Sequence, residues 1–193
     1  MNRVCVFCGS SLGARSEYSH AAAETGALLA GRGLALVYGG GHVGLMGVVA
    51  DAALRAGGSV IGVITQALVD REVAHSGLTE LHIVHTMHER KALMASLADA
   101  FLVLPGGIGT MEEFFEVWTW GQLGEHAKPV GLVNVAGYFN DLIRFLDHAV
   151  DEELLKPKHR GMLIVADSPA AVLDAFAGYQ PPTVGKWIGR NEI

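Results

Sequence analysis

Residues 105–113 read Pro-Gly-Gly-Ile-Gly-Thr-Met-Glu-Glu, directly after the apolar run 100–104 and directly before the helix-like stretch 114–123. A strand that ends in a glycine-rich turn and feeds a helix makes a phosphate cradle. The glycines let backbone approach an anion closely, and the helix start presents unpaired N–H groups and a partial positive charge. Gly106, Gly107, Ile108, Gly109 and Thr110 form that cradle, with Met111, Glu112 and Glu113 in the same first turn. A plain anion site gains nothing from acids placed there, whereas a site that binds a phosphate and does chemistry beside it does. No Gly-Lys-Ser/Thr follows, so phosphoryl transfer of the ATP kind has no lysine to use. Thr110-x-x-Glu113 also fits a capping box, in which Thr110 caps the helix and Glu113 reaches back to the N-cap amide. Spacing alone leaves both readings of Glu113 open.

The same alternation runs along the whole chain. Residues 3–8, 34–38, 59–64, 80–85, 100–104, 129–133 and 163–166 read as strands. Residues 17–30, 45–56, 87–98, 111–123, 138–152 and 169–177 read as helices, and 65–79 is more polar. Strands that are continuous apolar runs between helices imply a mostly parallel sheet covered on both faces. The expected fold class is α/β, a single Rossmann-like doubly wound domain over residues 1–180, with 181–193 a surface tail. Ligands in such sheets bind beyond the carboxyl ends of the strands. The loops 9–11, 39–44 and 105–110 should open there together.

Composition narrows the function classes. A chain of 193 residues, half of it hydrophobic and only 18% charged, suits a substantial core. The formal net charge is −6 and no lysine- or arginine-rich block is present, so a nucleic-acid partner has no electrostatic support. Apolar runs fall well short of a membrane helix, and no signal-peptide pattern opens the chain, so a cytoplasmic protein is expected. Cys5 and Cys8 form a C-x-x-C inside a strand. Their odd separation points them to opposite faces, away from any helix start, which reads as buried thiols rather than a redox or zinc pair. Among nine histidines, His82, His85 and His88 are spaced by three, but a strand turning into a helix does not converge their rings. No metal and no organic cofactor is expected.

Gly39-Gly40-Gly41-His42-Val43-Gly44 matches G-x-G-x-x-G between a strand and a helix. A dinucleotide site also wants an acid at the end of the next strand, yet 59–64 leads into Thr65-Gln66, with Asp70 and Glu72 the first acids. Gly40 and Gly41 therefore read as lying against a nucleotide or sugar-phosphate, the alternative being a tight turn without ligand. Arg90 and Lys91 lie in a first helical turn, where cations oppose the dipole. A phosphate or an acidic neighbour would justify them, and a solvated helix start is the other reading. Phe114, Phe115, Trp118 and Trp120 at helical spacing read as core or subunit interface. The helix carrying Glu113 brings Glu116 and Thr119 close to it on neighbouring turns.

Taken together, Pro105-Gly106-Gly107-x-Gly109-Thr110-x-x-Glu113, Met87-x-x-Arg90-Lys91 and the 39–47 loop resemble the LONELY GUY family, over about residues 3–180. These are cytokinin riboside 5′-monophosphate phosphoribohydrolases, often labelled lysine decarboxylases. The resemblance implies a Rossmann-like fold, a homodimer, and hydrolysis of N6-substituted adenosine monophosphates to free base and ribose 5-phosphate. It implies that Glu113 and Arg90 are catalytic, and that Lys91, Gly107, Ile108, Gly109, Thr110, Met111, Glu112, Thr119 and Glu72 line the substrate site. The chemistry suits the side chains: a carboxylate can oppose the positive charge that develops on the ribose as the glycosidic bond breaks. The rival class is a nucleotide-binding or carrier protein with the same cradle and no turnover.

Overall fold

In the computed structural model, which describes residues 1–71 and 73–182, seven strands form one sheet. They are β1 (Arg3–Phe7), β2 (Ala35–Tyr38), β3 (Val60–Thr65), β4 (Glu80–Val84), β5 (Ala100–Val103), β6 (Val130–Val133) and β7 (Leu163–Ala166). Every pairing is parallel, in the order β4-β3-β2-β1-β5-β6-β7. This is the doubly wound α/β arrangement expected from the apolar runs. β3, β5 and β6 are buried along their whole length, which is why they show no polar alternation.

The helices are α1 (Ser16–Gly31), α2 (Gly44–Arg55), α3 (Gln66–Val69), α4 (Met87–Leu97), α5 (Ile108–Leu123), α6 (Asn140–Asp151), α7 (Pro157–Arg160) and α8 (Pro169–Ala177). One core layer packs α1, α2 and α8 on the sheet through Ala22, Leu29, Val49, Ala53, Val172 and Phe176. The other packs α4, α5 and α6 through Met94, Phe114, Trp118 and Leu146. Cys8 belongs to the first layer and Cys5 to the second, and both are free thiols. The odd spacing does send them to opposite faces.

The chain turns back on itself between β1 and β5, the neighbours from which the sheet is wound outward in both directions. The carboxyl ends of β1, β2, β3 and β5 meet around that point, where parallel sheets of this kind hold ligands.

Local structure departs from expectation in three places. The helix expected to begin at residue 111 begins at Ile108, with Gly107 as its N-cap in an extended conformation and no side-chain cap. Thr110 is therefore inside the first turn, only 4% exposed, and the capping-box reading of Thr110 and Glu113 does not hold. The capping box of this region is at α4, where Thr86 Oγ1 accepts from the Glu89 amide and the Glu89 carboxylate accepts from the Thr86 amide. The helix expected over 138–152 is found as α6, Asn140–Asp151, but a 3-10 turn at Val135–Gly137 that was not expected precedes it. The polar stretch 65–79 contains the short α3 and a bridge from Ala74 to Gly41. Of the expected tail, 183–193 lies outside the described residues.

Candidate active site

The loops after β1, β2, β3 and β5, together with α4, enclose a cavity of about 580 Å³. Cavities of this size ordinarily hold small molecules. Cys8 and Ser10 come from the first loop, Gly39, Gly41 and Val43 from the second, and Ile64, Leu68 and Val73 from the third. Met87 and Arg90 of α4 and the run from Gly107 to Thr110, with Glu112 and Glu113, complete it.

Arg90 is fixed before any ligand arrives. Its side chain is 8% exposed; Nε donates to the Val63 carbonyl and Nη2 to the Gly39 carbonyl, each at 3.0 Å. Those carbonyls lie at the ends of β3 and β2, so the sheet itself aims the guanidinium. A Cβ on residue 39 would stand 2.0 Å from Nη2, which is why glycine is required there. The remaining Nη1 faces Glu113 Oε1 at 3.7 Å.

Glu113 is largely but not fully buried, its side chain 12% exposed. Burial pushes its carboxyl up to about 7, Arg90 pulls the other way, and the Glu112 charge adds to the rise. A carboxyl poised near neutrality beside a fixed cation can exchange protons or oppose a developing positive charge.

Lys91 is buried beside α5, where its ammonium pairs with Glu112 and, at 3.0 Å, with Glu116. Burial alone would lower its pKa, but the two carboxylates outweigh that and the net direction is up. The cations at the start of α4 thus have acidic neighbours on α5, which offset the unfavourable dipole.

The start of α5 has no side-chain cap, so its first amides are available to a ligand. Gly106 packs against Gly9 and Thr110: a Cβ there would lie 2.2 Å from Thr110 Oγ1 and 2.8 Å from the Gly9 amide. Gly107 and Gly109 face open space.

Of the residues expected in the site, Arg90, Gly41, Gly107, Ile108, Gly109, Thr110, Glu112 and Glu113 line this cavity. Gly106 lines a smaller neighbouring cavity of about 250 Å³, with Ser11, Tyr18 and Tyr138. Gly40, in the left-handed region at φ 73, is turned toward Ile64 and Leu81. Met111 packs into the α4–α5 core layer, Lys91 is engaged by its two carboxylates, and Thr119 is exposed further along α5. Glu72 lies outside the described residues. Ser10, Gly39 and Val43 belong to the loops expected to open here, and Met46 and Met87 to the motifs that carry the resemblance, whereas Cys8, Ile64, Leu68 and Val73 were not singled out from sequence. The signal for Cys8 and Ile64 was available, since both stand at the carboxyl ends of strands. For the role of Gly39 it was not, because that role depends on Arg90, 51 residues away.

Among the described residues no helix is long and apolar enough to cross a membrane, and no three His, Cys, Asp or Glu side chains group as metal ligands.

Comparison with known proteins adds kinship. Residues 46–176 match the family model described as "Possible lysine decarboxylase". A probable cytokinin riboside 5′-monophosphate phosphoribohydrolase of Oryza sativa subsp. japonica is 50% identical, over 93% of this chain and 72% of that protein. A cytokinin riboside 5′-monophosphate phosphoribohydrolase of Arabidopsis thaliana is 49% identical, over 95% of this chain and 80% of its own length. Among solved structures, the molybdenum cofactor carrier protein of Chlamydomonas reinhardtii superposes with a TM-score of 0.68 at 19% identity, over 92% of this chain and 96% of that one. That likeness is one of fold.

Proposed function

Because the chain belongs to the cytokinin riboside 5′-monophosphate phosphoribohydrolase family, we propose that it hydrolyses the N-glycosidic bond of adenosine 5′-monophosphates, N6-substituted ones included, releasing free base and ribose 5-phosphate. The observation that carries this reading is the largely buried Glu113, facing a fixed Arg90 in the same cavity as an uncapped helix start.

The parts divide the work. The amides at Gly107 to Thr110 hold the 5′-phosphate, which anchors the sugar and supplies binding energy remote from the bond that breaks. Lys91 neutralises Glu112 and Glu116, whose charges would otherwise repel an anion at this helix start. Glu113, as carboxylate, opposes the positive charge that grows on the ribose and accepts a proton from the attacking water, while the base leaves with the electron pair of the C–N bond and takes up a proton from solvent. Arg90 keeps that carboxylate oriented and favours its ionised form. The apolar wall from Val43 to Met87 receives the base.

Lysine decarboxylation has no support in this site. A Schiff-base lysine works with a lowered pKa, whereas Lys91 is held protonated by two carboxylates. With no metal-ligand cluster among the described residues, turnover is expected to survive EDTA.

We further propose a homodimer. Ile108, Phe115 and Leu123 form an exposed apolar stripe on α5, with Glu112 and Thr119 on the same face. The two unpaired, buried thiols suit a reducing cytoplasm.

The test is direct. Purified protein is incubated with AMP and N6-isopentenyl-AMP, and the products are separated for free base and ribose 5-phosphate. Base release supports the hydrolase; tight retention of the nucleotide without base release would assign a carrier instead.

A further inference from the structure

After β6 the chain does not enter a helix directly. It makes the 3-10 turn Val135–Gly137, in which Ala136 (φ 50) and Gly137 (φ 73) both occupy the left-handed region. That conformation is strained for alanine and persists only where the surroundings impose it. Here Asn134 imposes it: its Oδ1 accepts from the Phe139 amide and its Nδ2 donates to Asn140 Oδ1, each at 2.8 Å. Phe139 is 1% exposed and anchors the segment in the core.

The product of this turn is the placement of Tyr138. Its ring meets Tyr18 edge-on, with centroids 5.5 Å apart and planes at 76°, and its hydroxyl donates to the Gly106 carbonyl at 2.6 Å. Gly106 and Gly107 are the two residues of the cradle with least steric control over their shared peptide plane. In a trans peptide the C=O and the following N–H point in opposite directions. Tyr138 and Gly106 line the smaller cavity, while Gly107 also lines the larger one with Glu113. Holding the Gly106 oxygen toward Tyr138 therefore turns the N–H of Gly107, the residue that both cavities share, away from Tyr138.

We infer that Tyr138 is a positioning residue: by anchoring the Gly106 carbonyl it presets the Gly107 amide as a donor to the 5′-phosphate. This rests on the proposed reading of the cavity as a nucleoside monophosphate site. Tyr138 touches no reacting atom, so its contribution falls on binding rather than on the chemical step.

Tyr138→Phe keeps the ring and its packing on Tyr18 and removes only the hydroxyl. KM for AMP should rise about five- to tenfold, as for the loss of one ordinary hydrogen bond, with kcat little changed. The affinity for AMP by calorimetry should weaken by the same factor, and any turnover of adenosine, which lacks the phosphate, should not change. Unaltered KM and affinity, even with a lowered melting temperature, would overturn the inference and leave Tyr138 a structural residue. If the wild-type protein binds AMP but releases no base, the hydrolase reading fails while the affinity comparison still decides this one. If it does neither, both fall. Should Tyr138→Phe not fold, the wild-type protein still gives the answer: the Gly107 amide resonance must shift when AMP is added, and an unmoved resonance overturns the proposal.

Discussion

In the proposed reaction Glu113 has to carry a negative charge in a place that resists it, and its titration exposes the conflict. Burial lifts its carboxyl to about 7. If the ionised form does the chemistry, kcat/KM should climb as pH rises through about 7, because that profile reports the free enzyme. Arg90 is the group that lowers this value, so Arg90→Ala should move the rising limb to higher pH as well as slow turnover. Stability runs the other way. The folded protein keeps the Glu113 proton up to about 7, whereas the unfolded chain releases it near the ordinary 4.5. Between those values the folded state binds more protons, so this group's contribution to stability is lost as pH rises. Glu113→Gln should thus be more stable than wild type at pH 8, by roughly 1–3 kcal/mol, with the gap closing toward pH 4 in thermal melts. At this scale the sequence left Glu113 between cap and catalyst. What removes the cap reading is where α5 begins, which Ile108-Gly109-Thr110 conceals because it reads as loop.

At the scale of elements, the α5 start is a device assembled from three loops, and its glycines have separable duties. Gly106→Ala would force a Cβ against Thr110 and the Gly9 backbone, and should destabilise the fold by about 1–3 kcal/mol. Gly107→Ala meets no protein atom, so denaturant unfolding should hardly change while KM for AMP rises. Gly39→Ala should spare the fold and cost activity, since its Cβ would displace the Arg90 guanidinium from between two strand-end carbonyls. The strands and most helices were legible because buried parallel strands appear as bare apolar runs and the turns between them carry glycine. The 3-10 turn at Val135–Gly137 was not, because its left-handed alanine is dictated by Asn134 and Phe139 rather than by its own composition. The apolar wall was hidden for a related reason: Leu68, Val73 and Met87 come together only when β3 and α4 are set side by side.

For the whole molecule, the sheet order puts the loops of β1, β2, β3 and β5 around one cleft, and the exposed apolar stripe of α5 starts at that cleft, where Ile108 lines the cavity. The α5 stripe of Ile108, Phe115 and Leu123 should be covered by a second copy. Light scattering should give twice the chain mass, and Phe115→Asp should shift the protein toward monomer; wild type that is monomeric and fully active would contradict the dimer. Thr119, expected in the site yet exposed on this face, is the residue whose role depends most on that outcome. The central claim is hydrolysis through Glu113, and the most direct measurement is free base released from AMP by wild type and by Glu113→Gln, alongside the AMP affinity of each. The account predicts release by wild type, a loss of at least about 10²–10³-fold in kcat for Glu113→Gln, and nearly equal affinities. A Glu113→Gln protein that binds AMP and still frees the base at near wild-type rate would contradict it.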